Sequence, residues 1–184
     1  LPGSEAAATI RSGDILVALN GEPLVEFVPL EATLDASVGE TVTLTIERGG
    51  VSKDVSLPVT DLHSITPRQY LEFGDAVMNT LSYQQARHYN LPPAGVYVAN
   101  PGYMLSNSGI SRGAVIVELD GKPVDDLDDL AEVLAGLADD ARVPVRFVTM
   151  ETPTRRELRI LRIDRTWYAT RLCERGDTSG VWPC

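Results

Sequence analysis

Self-similarity at an offset of one hundred residues constrains this chain more than any local signal, because a module written twice must fold the same way twice. Ile10, Gly13, Val17, Leu19, Gly21, Pro23, Leu30 and Leu34 recur without a gap as Ile110, Gly113, Val117, Leu119, Gly121, Pro123, Leu130 and Leu134. Pro2 and Gly3 find counterparts in Pro101 and Gly102. Val42, Leu44 and Ile46 match Val143, Val145 and Phe147 after a one-residue shift.

Each copy reads as strand, sharp turn, helix and hairpin. Ile15 to Leu19 and Val115 to Leu119 alternate like half-buried strands, and Asn20-Gly21 and Asp120-Gly121 are dipeptides that tolerate positive φ in tight turns. Leu127, Leu130, Ala131 and Leu134 then fall at helical spacing, with Asp125, Asp126, Asp128 and Asp129 crowding the positive helix end. Phe27, Leu30 and Leu34 repeat that stripe, with Pro29 in the first turn, where a helix accepts it. Residues 41–47 and 51–59 around Arg48-Gly49-Gly50 predict a second hairpin, matched by residues 142–149 and 157–163.

Between the copies, residues 61–66 form a polar connector. Residues 68–79 read as a loop entering a strand, Ser82 and Gln85 as a capping box opening a helix that stops at Asn90, and residues 95–99 as another strand. Gly113 stands 46 residues beyond Pro67 but Gly13 only 12 beyond Leu1, so the first copy is expected to begin inside a module. The expected organisation is a first module over 1–60 lacking its N-terminal segment, a connector over 61–66, a second module over 67–165 and a tail over 166–184.

Composition sets the outer bounds. At 184 residues, 43% apolar and 23% charged, the chain is one or two globular domains. A net charge of -10 repels phosphate backbones and anionic headgroups, so nucleic-acid binding is disfavoured, and no apolar run reaches the length of about 18 residues needed for a membrane span. The cysteines, Cys173 and Cys184, either close a small loop or remain free thiols. Two histidines 25 residues apart lack metal-ligand spacing, so no metal or other cofactor is expected. Trp167, Tyr168 and Trp182 either cover a sheet edge or act as packing anchors, the second being the preferred reading.

Pro-Gly-Ser at the entry, Gly-Asp-Ile-Leu before the strand, Asn-Gly-x-Pro at the turn and the helix that follows resemble a PDZ domain, of the permuted type attached to HtrA/Deg trypsin-like serine proteases. Leu81, Ser82, Ala86, Leu91, Pro92, Gly95, Val96 and Val98 resemble the segment after that family's peptide-binding strand. Residues 61–67 with 81–87 are similar to the larger HtrA-like proteases with tandem PDZ modules known from fungi. The resemblance implies a mainly β fold with short helices, in two PDZ-like β-barrel or sandwich modules. It also implies a parent that is a serine endopeptidase, located in the cell envelope in bacterial relatives and in the nucleus in the fungal branch.

In that family a Tyr-x-Gly-apolar loop presents backbone N–H groups to a peptide's terminal carboxylate, and the matching residues here are Tyr70, Leu71, Glu72 and Phe73. Glu72 places a charge where glycine is usual; two unit charges about 4 Å apart repel by roughly 1 to 4 kcal/mol, with Arg68 a candidate to offset it. Gly113-Ala114 replaces the usual Gly-Asp and removes a loop hydrogen bond. The implied peptide site combines Tyr70, Leu71, Glu72, Phe73, Gly74, Asp75, Ala76 and Val77 with Leu127, Leu130, Ala131 and Leu134. An extended peptide would add beside residues 74–78 and face the helix.

No catalytic residue is assigned: Ser108 corresponds to a loop without serine in the first copy, while His63 lies in the connector and His88 on the capped helix. The expected partners are peptides or unfolded protein segments and the protease domain of the same parent, with no nucleic acid and no membrane insertion. The rival reading is an assembly module with a degenerate groove, whose edges pair with neighbouring domains or with other subunits in a homo-oligomer.

Overall fold

The structure is a computed structural model that describes residues 4–184. Pro2 and Gly3, matched to Pro101 and Gly102 by the repeat, lie outside the described residues. The fold is mainly β, with short helices and antiparallel sheets, in two compact units that divide between Ile65 and Thr66.

In the first unit, α1 (Glu5–Thr9) precedes β1 (Ile15–Leu19), β2 (Glu22–Pro23), α2 (Phe27–Ala36), β3 (Thr41–Arg48) and β4 (Val51–Pro58). The sheet runs β2-β1-β3-β4. Its core gathers Leu19, Val42, Leu44, Ile46, Val55 and Leu57, with Leu30 and Leu34 of α2 packed against it only in part. Phe27, expected in the apolar stripe, is 67% exposed.

The second unit begins with β5 (Gln69–Phe73) and β6 (Ala76–Thr80), followed by α3 (Tyr83–His88), β7 (Val96–Asn100) and α4 (Gly102–Asn107). It continues with β8 (Ala114–Leu119), β9 (Lys122–Pro123), α5 (Leu127–Gly136), β10 (Arg142–Thr149), β11 (Glu157–Arg162) and β12 (Arg171–Glu174). The main path of its sheet is β11-β10-β8-β7-β6-β5-β12, with β9 paired to β8.

The repeat is realised at the level of register. Leu19 opposes Leu44, and Leu119 opposes Val145. Both ladders skip one residue, Val17 in β1 and Val117 in β8, which is where a β-bulge leaves a residue unpaired across the ladder. The freed carbonyls accept equivalent bonds, from Leu24 N–H at 2.9 Å and Val124 N–H at 3.1 Å. Asn20 and Gly21 have φ of 50° and 84°, and Asp120 and Gly121 have 51° and 75°, so both turns adopt the doubly left-handed form whose twist suits a hairpin.

The two helices are capped unequally. Asp126 accepts from the Asp129 N–H at 3.0 Å, while Asp129 accepts from the Asp125 N–H at 2.9 Å. Glu26, at the same place before α2, makes no side-chain cap. Ser82 accepts from the Gln85 N–H at 3.1 Å and donates its hydroxyl to the Gln85 amide oxygen, so the glutamine meets the serine side chain and not the orphan backbone donor of a full capping box.

Candidate functional site

Tyr70, Leu71, Glu72 and Phe73 do not form an open loop. They belong to β5, which joins β6 through a tight turn at Gly74 and Asp75, with φ of 56° and 65°. Leu71 opposes Met78, Glu72 opposes Val77 and Phe73 opposes Ala76. The turn is held from outside: the Gly74 carbonyl accepts from the Met104 N–H at 3.1 Å, and a Cβ on Gly102 would lie 2.1 Å from the Asp75 carbonyl carbon. Glycine at 102, with φ of 54°, is what lets α4 approach the turn so closely.

Residues 68–79 are therefore two strands, and this changes the site. The signal was present: Gly74-Asp75 is a hairpin dipeptide between apolar alternations Leu71/Phe73 and Ala76/Met78. The expected docking position beside residues 74–78 is filled, because β6 is paired with β5 on one edge and β7 on the other. The segment taken for a carboxylate loop has itself become the strand next to β6.

The groove wall is likewise in use. Leu71, Phe73, Met78, Leu127, Leu130 and Leu134 all belong to one buried core, Ala131 is half-buried beside them, and α5 contacts both β5 and β6. Phe73 is pinned at the helix C-terminus by Arg165, whose guanidinium carbon lies 5.6 Å from the ring centroid. The same guanidinium donates to the Leu137 carbonyl at 2.9 Å and the Leu134 carbonyl at 2.6 Å, placing a cation on the negative end of α5. Burying Leu71 and Phe73 is worth roughly 1.5 to 3 kcal/mol each, which a competitor for the slot would have to replace.

The outer edge of β5 is covered by the tail. Arg171 opposes Glu72, Leu172 opposes Leu71, Cys173 opposes Tyr70 and Glu174 opposes Gln69. Glu72 meets Arg171, whose Nε is 3.7 Å from Oε2. Arg68, the expected offset, instead approaches Glu174 at 3.6 Å and Asp177 at 3.7 Å. Trp182 packs on Tyr70 with ring centroids 5.3 Å apart, and Cys173 is joined to Cys184 by a disulfide. Of the two readings for the tail, edge coverage describes residues 171–174 and Trp182, whereas Trp167 is 79% exposed. Sequence reasoning missed Arg171 and Leu172 because nothing local in a four-residue strand names its partner.

The residues weighed for catalysis have other occupations. The Ser108 hydroxyl donates to the Met104 carbonyl at 3.2 Å, and His88 packs edge-on to Tyr89 at 4.8 Å. Among the described residues no group of three or more His, Cys, Asp or Glu side chains is arranged to hold a metal ion, and no helix is long and apolar enough to cross a membrane. At position 14, where the second copy has Ala114, Asp14 accepts from Arg48 Nε and Nη2, both at 2.7 Å. That bidentate contact, with the Arg11 N–H, lowers the Asp14 pKa from 3.8 to about 2.

An antiparallel sheet whose β5–β6 hairpin packs on α5 defines a small β module. A family model described as a PDZ-like domain matches residues 64–140, so the second unit is a PDZ-like domain. Along 99% of its length the chain is 42% identical to Protease Do-like 7 of Arabidopsis thaliana, covering 17% of that protein. It is 38% identical, again over 99% of its length, to the pro-apoptotic serine protease NMA111 of Yarrowia lipolytica, covering 19% of it. The corresponding protein of Ajellomyces capsulatus is 37% identical, with 18% covered. The chain is a PDZ region of the HtrA-like serine protease family, and it spans less than a fifth of the length of the curated relatives it matches.

Proposed function

We propose that this chain is the polypeptide-binding regulatory region of an HtrA-like serine endopeptidase, and that its second module engages extended chain by strand addition at β5. One observation carries the reading: the slot between β6 and α5 is built for a strand and already holds one, Gln69–Phe73. Backbone pairing is therefore how this module joins segments, and the edge a partner would take is the outer side of β5, which β12 occupies as the seventh strand of the main path. Tyr70, Leu71, Glu72 and Phe73 supply that edge. Gly74 and Asp75 turn the hairpin, Ala76 and Val77 open β6, and Leu127, Leu130, Ala131 and Leu134 support the hairpin through α5. Tethered to a protease domain of the same parent, such a site would raise the local concentration of substrate segments towards the millimolar range.

Terminal-carboxylate reading is not part of this function, because the N–H groups of residues 70–73 lie in a strand between two partners, with Glu72 beside them. A screen of the chain against a peptide library with free and amidated C-termini tests it. Equal binding of both forms is expected; binding abolished by amidation would overturn the reading.

The assembly reading is favoured by a separate observation in the first unit. There, among the described residues, β1 pairs with β2 and β3 and no strand takes the place that β7 has beside β8, and Ile15 is 61% exposed where Val115 is 1% exposed. Under this reading the first module, 1–60, takes its missing strands from elsewhere in the parent or from another subunit. A unit 1 polypeptide that stays monomeric, with its β1 amides unprotected beside the rest of the parent, would count against it.

A further inference from the structure

We propose that the Cys173–Cys184 disulfide is a redox latch on the β5 edge, and that its reduction opens this edge to an extended polypeptide with a basic residue followed two positions later by a small uncharged one. The inference rests on the strand-addition reading above and adds to it the condition under which the edge is open and the sequence it accepts.

Beyond its backbone ladder with β5 and the packing of Trp182 on Tyr70, strand β12 has few side-chain anchors besides the disulfide. It has four residues, of which only Cys173 is buried. Its ion pairs, Arg171 with Glu72 and Arg68 with Glu174, are exposed contacts at 3.7 and 3.6 Å, of a kind that contributes little in water. The tail then folds back on itself: the Glu174 N–H donates to the Pro183 carbonyl at 3.0 Å and the Gly176 N–H to the Val181 carbonyl at 2.8 Å. This return places Trp182 against Tyr70 and brings Cys184 to Cys173, 11 residues apart in sequence. The disulfide lies wholly within the tail, so it acts by restricting the undocked tail, and closing a loop of that size favours the folded-back, docked form by up to about a hundredfold over the same tail with free thiols.

Reduction has a route. Cys184 lies in exposed chain while Cys173 is fully buried, so a dithiol reductant meets Cys184 first. One thiolate of the reductant attacks the Cys184 sulfur and displaces Cys173 as a thiolate, which takes up a proton. The second thiolate then closes the reductant's own disulfide and releases Cys184, so two electrons and two protons pass to the protein.

The register of β12 specifies the replacement. Opposite Glu72 stands a cation, Arg171, and opposite Tyr70 stands the small, wholly buried side chain of Cys173. Between them Leu172 is 44% exposed, so that position is permissive. A partner strand thus reads basic, variable, small, and its C-terminal carboxylate plays no part.

The probe is a fluorescent peptide copying residues 169–176 with Cys173→Ala, blocked at both ends, titrated into the full chain in oxidised form, in dithiothreitol and as the Cys184→Ser variant. Reduced chain and variant should bind at least tenfold more tightly than oxidised chain, and the peptide also carrying Arg171→Glu should bind about fivefold more weakly than the probe. Amide exchange should show β7 and β8 equally protected in all three forms, with faster exchange on reduction confined to the amides of residues 69–73 that face β12. Equal affinity in oxidised and reduced chain would overturn the latch while leaving strand addition standing. Absence of binding in every form, with those amides exposed on reduction, would overturn both. A concentration-dependent dimer on reduction that excludes the peptide would overturn the proposal in favour of tail exchange between copies.

Discussion

The two copies of the repeat share a register, a bulge and a turn, yet one is sealed and the other is open. In the second unit β8 lies between β7 and β10, and Val115 and Ile116 are 1% and 2% exposed. In the first unit the matching Ile15 and Leu16 are 61% and 39% exposed. The helices follow suit: α5 buries Leu127, Leu130, Val133 and Leu134 against the β5–β6 hairpin, whereas α2 buries no residue fully and flanks an apolar cavity of ≈ 500 Å³ lined by Leu30, Leu34, Val42 and Leu44. The difference teaches what residues 69–100 contribute: in the second unit they close the core over β8 and α5, and the described residues of the first unit hold no counterpart to them.

The comparison breaks most visibly at the hairpin. Phe73→Ala should destabilise the second unit by about 3 to 5 kcal/mol in urea or guanidinium unfolding, since it removes a buried ring from under Arg165. An effect below about 1 kcal/mol would mean that β5 is not core. Next comes the matched pair: Leu130→Ala is expected to cost about 2 to 5 kcal/mol, and Leu30→Ala clearly less, because Leu30 only partly meets its core. Equal losses would show that the first unit is closed after all.

Smaller effects sharpen the contrast between the helices. Asp126→Ala should cost about 1 kcal/mol through loss of the cap, while Glu26→Ala, with no cap bond to lose, should be nearly neutral. The smallest signal is electrostatic and comes from Asp14 in the first unit. Because folding depresses the Asp14 pKa from 3.8 to about 2, its contribution to stability is full above the ordinary carboxylate range and is lost as pH falls towards 2. Asp14→Asn should therefore lower the stability of the first unit at neutral pH, with the difference from the parent shrinking over that acid window. Ala114 leaves the second unit without a carboxylate at the matching position, and its own lowered carboxylate is Asp164, held down by hydrogen bonds from Thr166.

Much of this architecture was legible because it is written in local chemistry. Asn20-Gly21 and Asp120-Gly121 could only be hairpin turns, Asp126 capped the helix it preceded, and the one-residue shift between copies emerged as a matched register across β3 and β10. The site was read less well, for two physical reasons. Treating Tyr70 to Phe73 as a loop gave a family pattern priority over the Gly74-Asp75 turn signal, and hid the fact that Leu71 and Phe73 alternate inward like any core strand. Pairing of Arg171–Glu174 with β5 is a contact across about a hundred residues, which no window of sequence contains. The cysteines hinted at it, but their spacing was equally compatible with free thiols.

Amide hydrogen exchange across residues 69–73 of the oxidised chain reads the central claim directly, since a strand paired on both sides must lose solvent access at every N–H. Protection comparable to that of Val96 and Val98 in β7 is the expected result. Exchange as fast as in the exposed stretch of residues 61–64 would show that the slot beside β6 is vacant and that the module is not sealed by its own hairpin.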